Sequence, residues 1–317
     1  MTDLHVVVGA GPVGLATATE PTAQGHEVLL VSRSGTGAEV AGARRVAADA
    51  ADPDRLTELA AGAVALYNCI NPPSYDVWQA YWPPVAAAFL EAAERTGAVL
   101  VTAAPLYAYG AVAGPMTEDL PDAATGAKGR LRAAMWAEAK QRHDAGRIRA
   151  VEVRGSDYMG PLSTNAHIPQ VAPRALKGKG VRVFGRADQP HAFTDVRDMG
   201  RALAAVAQAP GTWGRVWHAP TNPAVTQTQA VADVCRAAGR EPVPVRAWPK
   251  ALLGLGGAVV PLLREMRETE YQFLAPYVVD SSGIERELGL EPTPWEEVCR
   301  ATAEAALART TSPAASV

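Results

Sequence analysis

The stretch HVVVGAGPVGLATA, His5 to Ala18, decides how the rest of the chain is read. An apolar run ends at Gly9, and Gly9, Gly11 and Gly14 form the pattern Gly-x-Gly-x-x-Gly. The pattern alone is weak. Here it follows a strand-like run, opens an alanine-rich helical stretch and precedes a second apolar run, EVLLVSR, residues 27–33. The first glycine permits a tight turn, the second lets a pyrophosphate approach the backbone, and the third lets helix and strand pack closely. VGLATATEPTAQG, residues 13–25, reads as the helix that follows, and its N-terminus beside Pro12 and Val13 offers free N–H groups and a partial positive charge to phosphates. Gly9, Gly11, Pro12, Val13 and Gly14 are therefore expected to hold a dinucleotide.

Which dinucleotide is read at the end of the second strand, Val31-Ser32-Arg33-Ser34. An acidic residue there would bind the ribose 2′-OH of NAD or FAD, and none is present. Arg33 can pair with a 2′-phosphate while Ser32 and Ser34 add hydrogen bonds, so NADP(H) is the expected cofactor. Arg44 and Arg45 are further candidates for the adenosine end.

Working outward, strand-like and helix-like runs alternate. RRVAAD (44–49) reads as a third strand, PDRLTELAAG (53–62) as a helix, and AVALYNCI (63–70) as a fourth strand. VWQAYWPPVAAAFLEAAERTG (77–97) reads as helical after its prolines, and AVLVTAA (98–104) as a fifth strand. Pro21 is expected to kink or end the first helix. This alternation predicts an α/β fold, a Rossmann-type doubly wound parallel sheet with helices on both faces.

From about Ile148 the pattern loosens. RAVEVRGSDYMGP (149–161) reads as a sixth strand running into a loop, with later strands in VRVFG (181–185) and GRVWHAP (214–220). Helices are expected in 228–239, in ALLGLGGAVVPLLREM (251–266) and in 295–308. The expected division is a dinucleotide-binding domain over 1–155, a smaller substrate-binding lobe over 156–308 interleaved with the last Rossmann elements, and a flexible tail over 309–317.

A chain of 317 residues with 48% hydrophobic content can bury a large core. Its net charge of −3, with both signs interspersed, gives no reason to expect nucleic acid or a membrane as partner. The longest apolar stretch, Leu252 to Leu263, is too short to span a bilayer and contains Pro261. Cys69, Cys235 and Cys299 are far apart, which fits a reduced cytoplasm and no structural zinc. The expected partner is a small-molecule substrate, and the expected state a monomer or homodimer.

Several downstream stretches, in order, resemble the extended short-chain dehydrogenase/reductase family, the NAD-dependent epimerase/dehydratase group. VAADAADPDRL (46–56) resembles its third strand and acidic turn, where Asp49 would meet the adenine. ALYNCINPP (65–73) resembles the fourth strand, whose end, Cys69, Ile70 and Asn71, would lie against the cofactor ribose. LYAYG (106–110) resembles the Val-Tyr-Gly turn, SDYMGP (156–161) the loop that flanks the nicotinamide through Tyr158, and HAFTDVRDMGRAL (191–203) the substrate-lobe stretch. GAGPVGLA also resembles the opening of aromatic-hydroxylase flavoproteins. Ser32-Arg33 does not match that family's glutamate, and its later Asp-Gly motif is absent.

The resemblance implies hydride transfer assisted by a tyrosine, a lysine four residues later, and a serine or threonine. This sequence departs from that pattern. Lys128 is present, but Ala124 stands four residues before it and Asp122 six; Pro105 stands where the hydroxyl belongs, four before Tyr109. The reading is a tetrad-less reductase. Lys128, Tyr107 and Ser156 are its catalytic candidates, with Thr102, Tyr109 and Tyr158 as further proton sources. The expected substrate is the ketone of a bulky aromatic or polyketide-like metabolite, in a pocket of Tyr158, Met159, His191, Trp217, Tyr271 and Phe273. His167 and His218 are additional acid–base candidates; the histidine spacing matches no metal signature. Two alternatives stand beside it: a sugar-nucleotide epimerase or dehydratase, and a non-catalytic NADP-binding redox sensor, which would fill the substrate space with side chains.

Overall fold

A computed structural model describes residues 2–72, 74–249 and 268–311. Seven strands form one parallel sheet. They are β1 (Leu4–Val8), β2 (Glu27–Ser32), β3 (Ala43–Ala47), β4 (Ala63–Asn68), β5 (Val99–Pro105), β6 (Arg149–Gly155) and β11 (Val216–His218). Their order across the sheet is β11-β6-β5-β4-β1-β2-β3. The chain runs outward from β1 to β3, then restarts on the other side at β4. This topological switch leaves a crevice at the carboxyl ends of β1 and β4, where ligands bind in such sheets.

Both faces of the sheet are covered, which is why Val6, Val7 and Val8 are all buried despite adjacent positions in the strand. Helix α1 (Pro12–Ala23) packs with α6 (Val196–Gln208) on one face. Helices α2 (Pro53–Leu59), α3 (Trp78–Thr96) and α4 (Ala127–Asp144) cover the other. A third core joins α5 (His167–Ala175), α7 (Gln227–Ala237) and α9 (Trp295–Thr311) around Ile168, Val231, Phe193 and Val298. Short strands β7 (Asp157–Met159), β8 (Val181–Val183), β9 (Pro190–His191), β10 (Phe193–Asp195), β12 (Val225–Thr226) and β13 (Val245–Ala247) form three two-stranded ladders beside the main sheet. Helix α8 (Ser282–Leu288) lies against β11.

Three local expectations are corrected. Helix α3 begins before its prolines and runs through Pro83 and Pro84. Its first turn carries Trp78 and, one turn on, Trp82, both buried and edge-to-face at 6.0 Å. Burying two indoles offsets the backbone hydrogen bonds that the prolines cannot donate. Helix α1 likewise continues past the buried Pro21 to Ala23. The predicted tail begins inside α9, which extends to Thr311; Arg309 donates to the carbonyls of Thr164 (2.9 Å) and Pro169 (2.7 Å). VRVFG contributes β8, which pairs with β13 in a small ladder. The helix predicted over 251–266 lies outside the described residues. None of the described helices is long and apolar enough to cross a membrane.

Candidate active site

The crevice opens into one continuous pocket of about 670 Å³, running from the end of β2 to the start of α5. Its floor is the glycine loop. Gly9 leaves β1 at φ +110°, a conformation that a side chain would strain, and a Cβ at Gly14 would strike the Gly9 carbonyl oxygen. A Cβ at Gly11 would meet nothing within 4 Å. Gly11 is the N-cap of α1, and no side chain caps that end; the first turn carries no acidic group, and Pro12 sits where a missing N–H costs nothing. Pro12 and Val13 complete this wall. The free helix N-terminus facing an open cradle fits a pyrophosphate.

At the outer end, Ser32 and Arg33 line the pocket between Val31, Ala48 and Ala50. Arg33 is exposed and, among the described residues, makes no hydrogen bond or ion pair, whereas Ser32 Oγ accepts from Gly35 N–H at 3.1 Å. Ser34 is off the wall, its hydroxyl 2.9 Å from Thr36. Asp49, expected to meet the adenine, is not on the wall that its neighbours Ala48 and Ala50 line; one oxygen accepts from Ala51 N–H at 3.0 Å. Arg45 donates to the carbonyls of Thr36 and Ala38, Arg44 lies 4.0 Å from Glu27, and neither lines the pocket. Cys69, Ile70 and Asn71, after β4, line the opposite bank. Burial pushes the Cys69 thiol up to about 12, which makes it a packing group and not a nucleophile.

The inner half is aromatic. Pro105, Tyr107, Tyr75, Trp78 and Tyr158 line it together with Ser156, Asp157, Ser163, Asn165, His167 and Gln272. The hydroxyls of Tyr75 and Tyr107 are 2.8 Å apart, and Trp78 stacks on Tyr107 at 6.1 Å. Burial raises both phenols above their usual range, so each remains a proton carrier at neutral pH. Lys128 is off the wall. Its ammonium pairs with Glu268 at 3.0 Å, and its backbone N–H donates to the same carboxylate at 2.6 Å, which caps α4. One helical turn on, Arg132 does reach the wall. Its guanidinium stacks 3.9 Å from the Trp82 ring centre and 5.1 Å from that of Trp78. Nε and Nη1 are buried with no hydrogen-bond partner. Burial lowers its pKa to about 10, which leaves it charged at neutral pH.

Other sequence-stretch candidates fall elsewhere. Ser156 is on the wall, but its hydroxyl donates to Ala192 O at 2.7 Å. Thr102 lines a separate small cavity. Tyr109 faces away, its hydroxyl 2.9 Å from His218 Nε2 and its ring 4.4 Å under Arg154. Asp122 bonds the same arginine at 2.6 Å, which ties the loop before α4 to β6. Met159 and Trp217 are wholly buried in the cores. His191 stands behind Asp157, and Phe273 stacks on His191 at 4.6 Å. Tyr271 packs with Leu106, Met116 and Tyr277. The substrate-wall role expected of Met159, His191, Trp217, Tyr271 and Phe273 is thus corrected: apolar and aromatic side chains at these positions close the cores, while their small or polar neighbours face the cavity.

His218 is fully buried, and burial lowers its pKa to about 4, so it is no proton donor at neutral pH. His5, in β1, is lowered to about 4 in the same way. Both are neutral in the fold and protonate near 6.5 when unfolded. The unfolded chain therefore binds more protons below pH 6.5, and stability falls as pH drops toward 4, by about 3 kcal/mol per histidine. Urea unfolding at neutral and acid pH measures this; equal midpoints would contradict it.

Residues 5–217 match the NAD dependent epimerase/dehydratase family. The chain belongs to that family. Its fold is shared by UDP-glucose 4-epimerase of Thermotoga maritima, solved with UDP-glucose, at 17% identity over 98% of this chain and 100% of that one, TM-score 0.77. DesIV, a dTDP-glucose 4,6-dehydratase of Streptomyces venezuelae solved with NAD, is 18% identical over 97% of each chain, TM-score 0.76. The dTDP-glucose 4,6-dehydratase of Bacillus anthracis, also solved with NAD, is 16% identical over 96% of each, TM-score 0.75. No curated protein matches the sequence. Within this family member, Arg132 and Tyr75 are pocket residues that sequence reasoning missed. Arg132 was within reach, because counting four residues forward from Lys128 lands on it, on the same helix face. Tyr75 opens a single 3-10 turn, Tyr75–Val77, between β4 and α3, and no periodicity points to it.

Proposed function

We propose that this protein is an NADP(H)-dependent reductase acting on the ketone of a bulky aromatic metabolite. The observation that carries the reading is the Tyr75–Tyr107 hydroxyl pair beside Arg132 on the inner wall of a dinucleotide-shaped pocket. Bound NADP(H) would supply the hydride. Gly9, Gly11, Gly14 and the first turn of α1 would hold its pyrophosphate, Arg33 its 2′-phosphate, and Arg132 an acceptor at the inner end. Tyr107 would pass its hydroxyl proton to the carbonyl oxygen, and Tyr75 would hand its own to Tyr107. Lys128 and Arg132 favour the charge left on Tyr75. The family's tyrosine–lysine pair is then replaced by residues from three other places in the chain. Open space beyond Pro105 and Tyr107, reaching His167, supports catalysis over a redox sensor.

A sugar-nucleotide reaction is the second reading, favoured by the family and by the UDP-glucose and NAD of its structural neighbours. Against it, Arg132 is the one cation that the described inner wall offers to a diphosphate. Titration with NADPH and NADH, followed by addition of aromatic ketones or UDP-glucose, separates the two. Tighter NADPH binding and ketone-dependent loss of nicotinamide fluorescence are expected; turnover of UDP-glucose alone would replace the proposal. Arg33→Ala should weaken NADPH by about 10- to 100-fold, the worth of a charged hydrogen bond or two, and leave NADH unaffected. Equal losses for both cofactors would remove Arg33 from its role.

A further inference from the structure

The inner end of the pocket carries a second titratable cluster that hydride transfer leaves unused. Asp157 on β7 and His167 at the start of α5 both line the wall. Asp157 Oδ2 lies 2.6 Å from His191 Nε2, and Oδ1 lies 3.7 Å from His167 Nε2. His191 cannot swing away. Its Nδ1 is 3.1 Å from the Gln272 carbonyl oxygen, and its ring is stacked on Phe273 at 4.6 Å and on Tyr277 at 5.2 Å. His191 therefore fixes the carboxylate, whose other oxygen is turned to His167. The His167 ring is set edge-on to Phe273 at 4.5 Å and Phe184 at 5.9 Å. It keeps 25% of its side-chain surface accessible, on the wall of the open pocket.

We propose that His167, oriented by Asp157 and His191, is a second acid–base residue of this pocket and receives the proton of a phenolic hydroxyl on the substrate. The inference rests on the reading that the pocket takes an aromatic ketone, and it narrows that class to hydroxylated aromatics. In the step, the phenol O–H bond breaks and its electron pair stays on oxygen. An N–H bond forms at the imidazole, which later releases the proton to solvent; no oxidant or reductant is needed. A phenol, ionising near 10, lies within a few units of an imidazole, whereas an aliphatic sugar hydroxyl lies far beyond it. Among the described residues, the charged or titratable groups facing His167 are Asp157 and His191; Tyr75, Tyr107, Tyr158 and Tyr277 face Asp157 from the other walls. Burial lowers the pKa of His167 against the pull of Asp157, so the ring is neutral and ready to accept at neutral pH.

The test uses 6-acetyl-2-naphthol, a flat ketone with a distant phenol, and its methyl ether, each titrated into the NADP⁺-saturated protein. For the naphthol, binding should tighten about tenfold as pH rises through the titration of His167, which lies below the ordinary imidazole range, the worth of one hydrogen bond. The methyl ether should show no such trend. His167→Gln should abolish the pH dependence and leave NADP⁺ affinity unchanged. Asp157→Asn should move the midpoint to lower pH, because the charge that favours imidazolium is gone; this keeps the test alive if the first variant misfolds. Pocket binding that fails in the wild type, or a pH dependence that survives His167→Gln, overturns the proposal. NADPH consumption is read separately. Histidine-dependent binding without consumption would overturn the reductase reading and leave the assignment of His167 intact.

Discussion

Gly11→Val yields a protein that melts with the wild type and no longer holds NADPH. Gly11 has φ −82°, which any residue adopts, and an added Cβ touches nothing in the fold. The side chain instead enters the cradle where α1 presents its free N–H groups. Loss of the pyrophosphate contacts should weaken NADPH by at least about 100-fold, near 2.7 kcal/mol. Gly14→Val is the contrasting case. Its side chain would collide with the Gly9 carbonyl, so the β1–α1 turn cannot close and stability falls with affinity, by about 3 kcal/mol or more. Thermal melts paired with nicotinamide fluorescence distinguish the two variants. A Gly11→Val protein that binds NADPH within a fewfold of wild type would place the cofactor elsewhere.

Tyr107→Phe should lower kcat by about 10²- to 10⁴-fold, the range of a lost general acid, with NADPH affinity unchanged. The phenol is half-buried, its hydroxyl 2.8 Å from that of Tyr75 and its ring stacked on Trp78, so removing one oxygen leaves the wall in shape. Tyr75→Phe should cost less, because Tyr107 keeps its own proton and loses only its resupply. Both phenols are raised by burial, so activity should not fall through tyrosine ionisation until well above neutral pH. Steady-state rates on a ketone substrate, with cofactor binding measured in parallel, provide the check. A Tyr107→Phe enzyme at wild-type rate would mean that the proton comes from the substrate, from water or from the His167 cluster.

The glycine-loop end of the pocket was legible in the sequence because its signals are local. A glycine turn, a helix start and a strand end lie within residues 9–33, and each is dictated by backbone geometry over a few positions. The same alternation marks the strands and helices at the start of the chain, and Arg33 stands one residue past β2. The inner half was not legible, because its chemistry depends on which distant polar groups neutralise one another. Lys128 reads as the surviving catalytic lysine until Glu268, 140 residues away, takes its charge. Arg132, on the same helix face, has no such partner for Nε and Nη1 and reaches the cavity. Met159 and Asp157 are two residues apart on β7, yet one ends in a core and the other on the pocket wall. Local periodicity determines which segments become strands and helices. Burial and ion pairing across the folded chain determine which side chains remain free to act, since most buried polar groups are held by hydrogen-bond partners that the fold supplies.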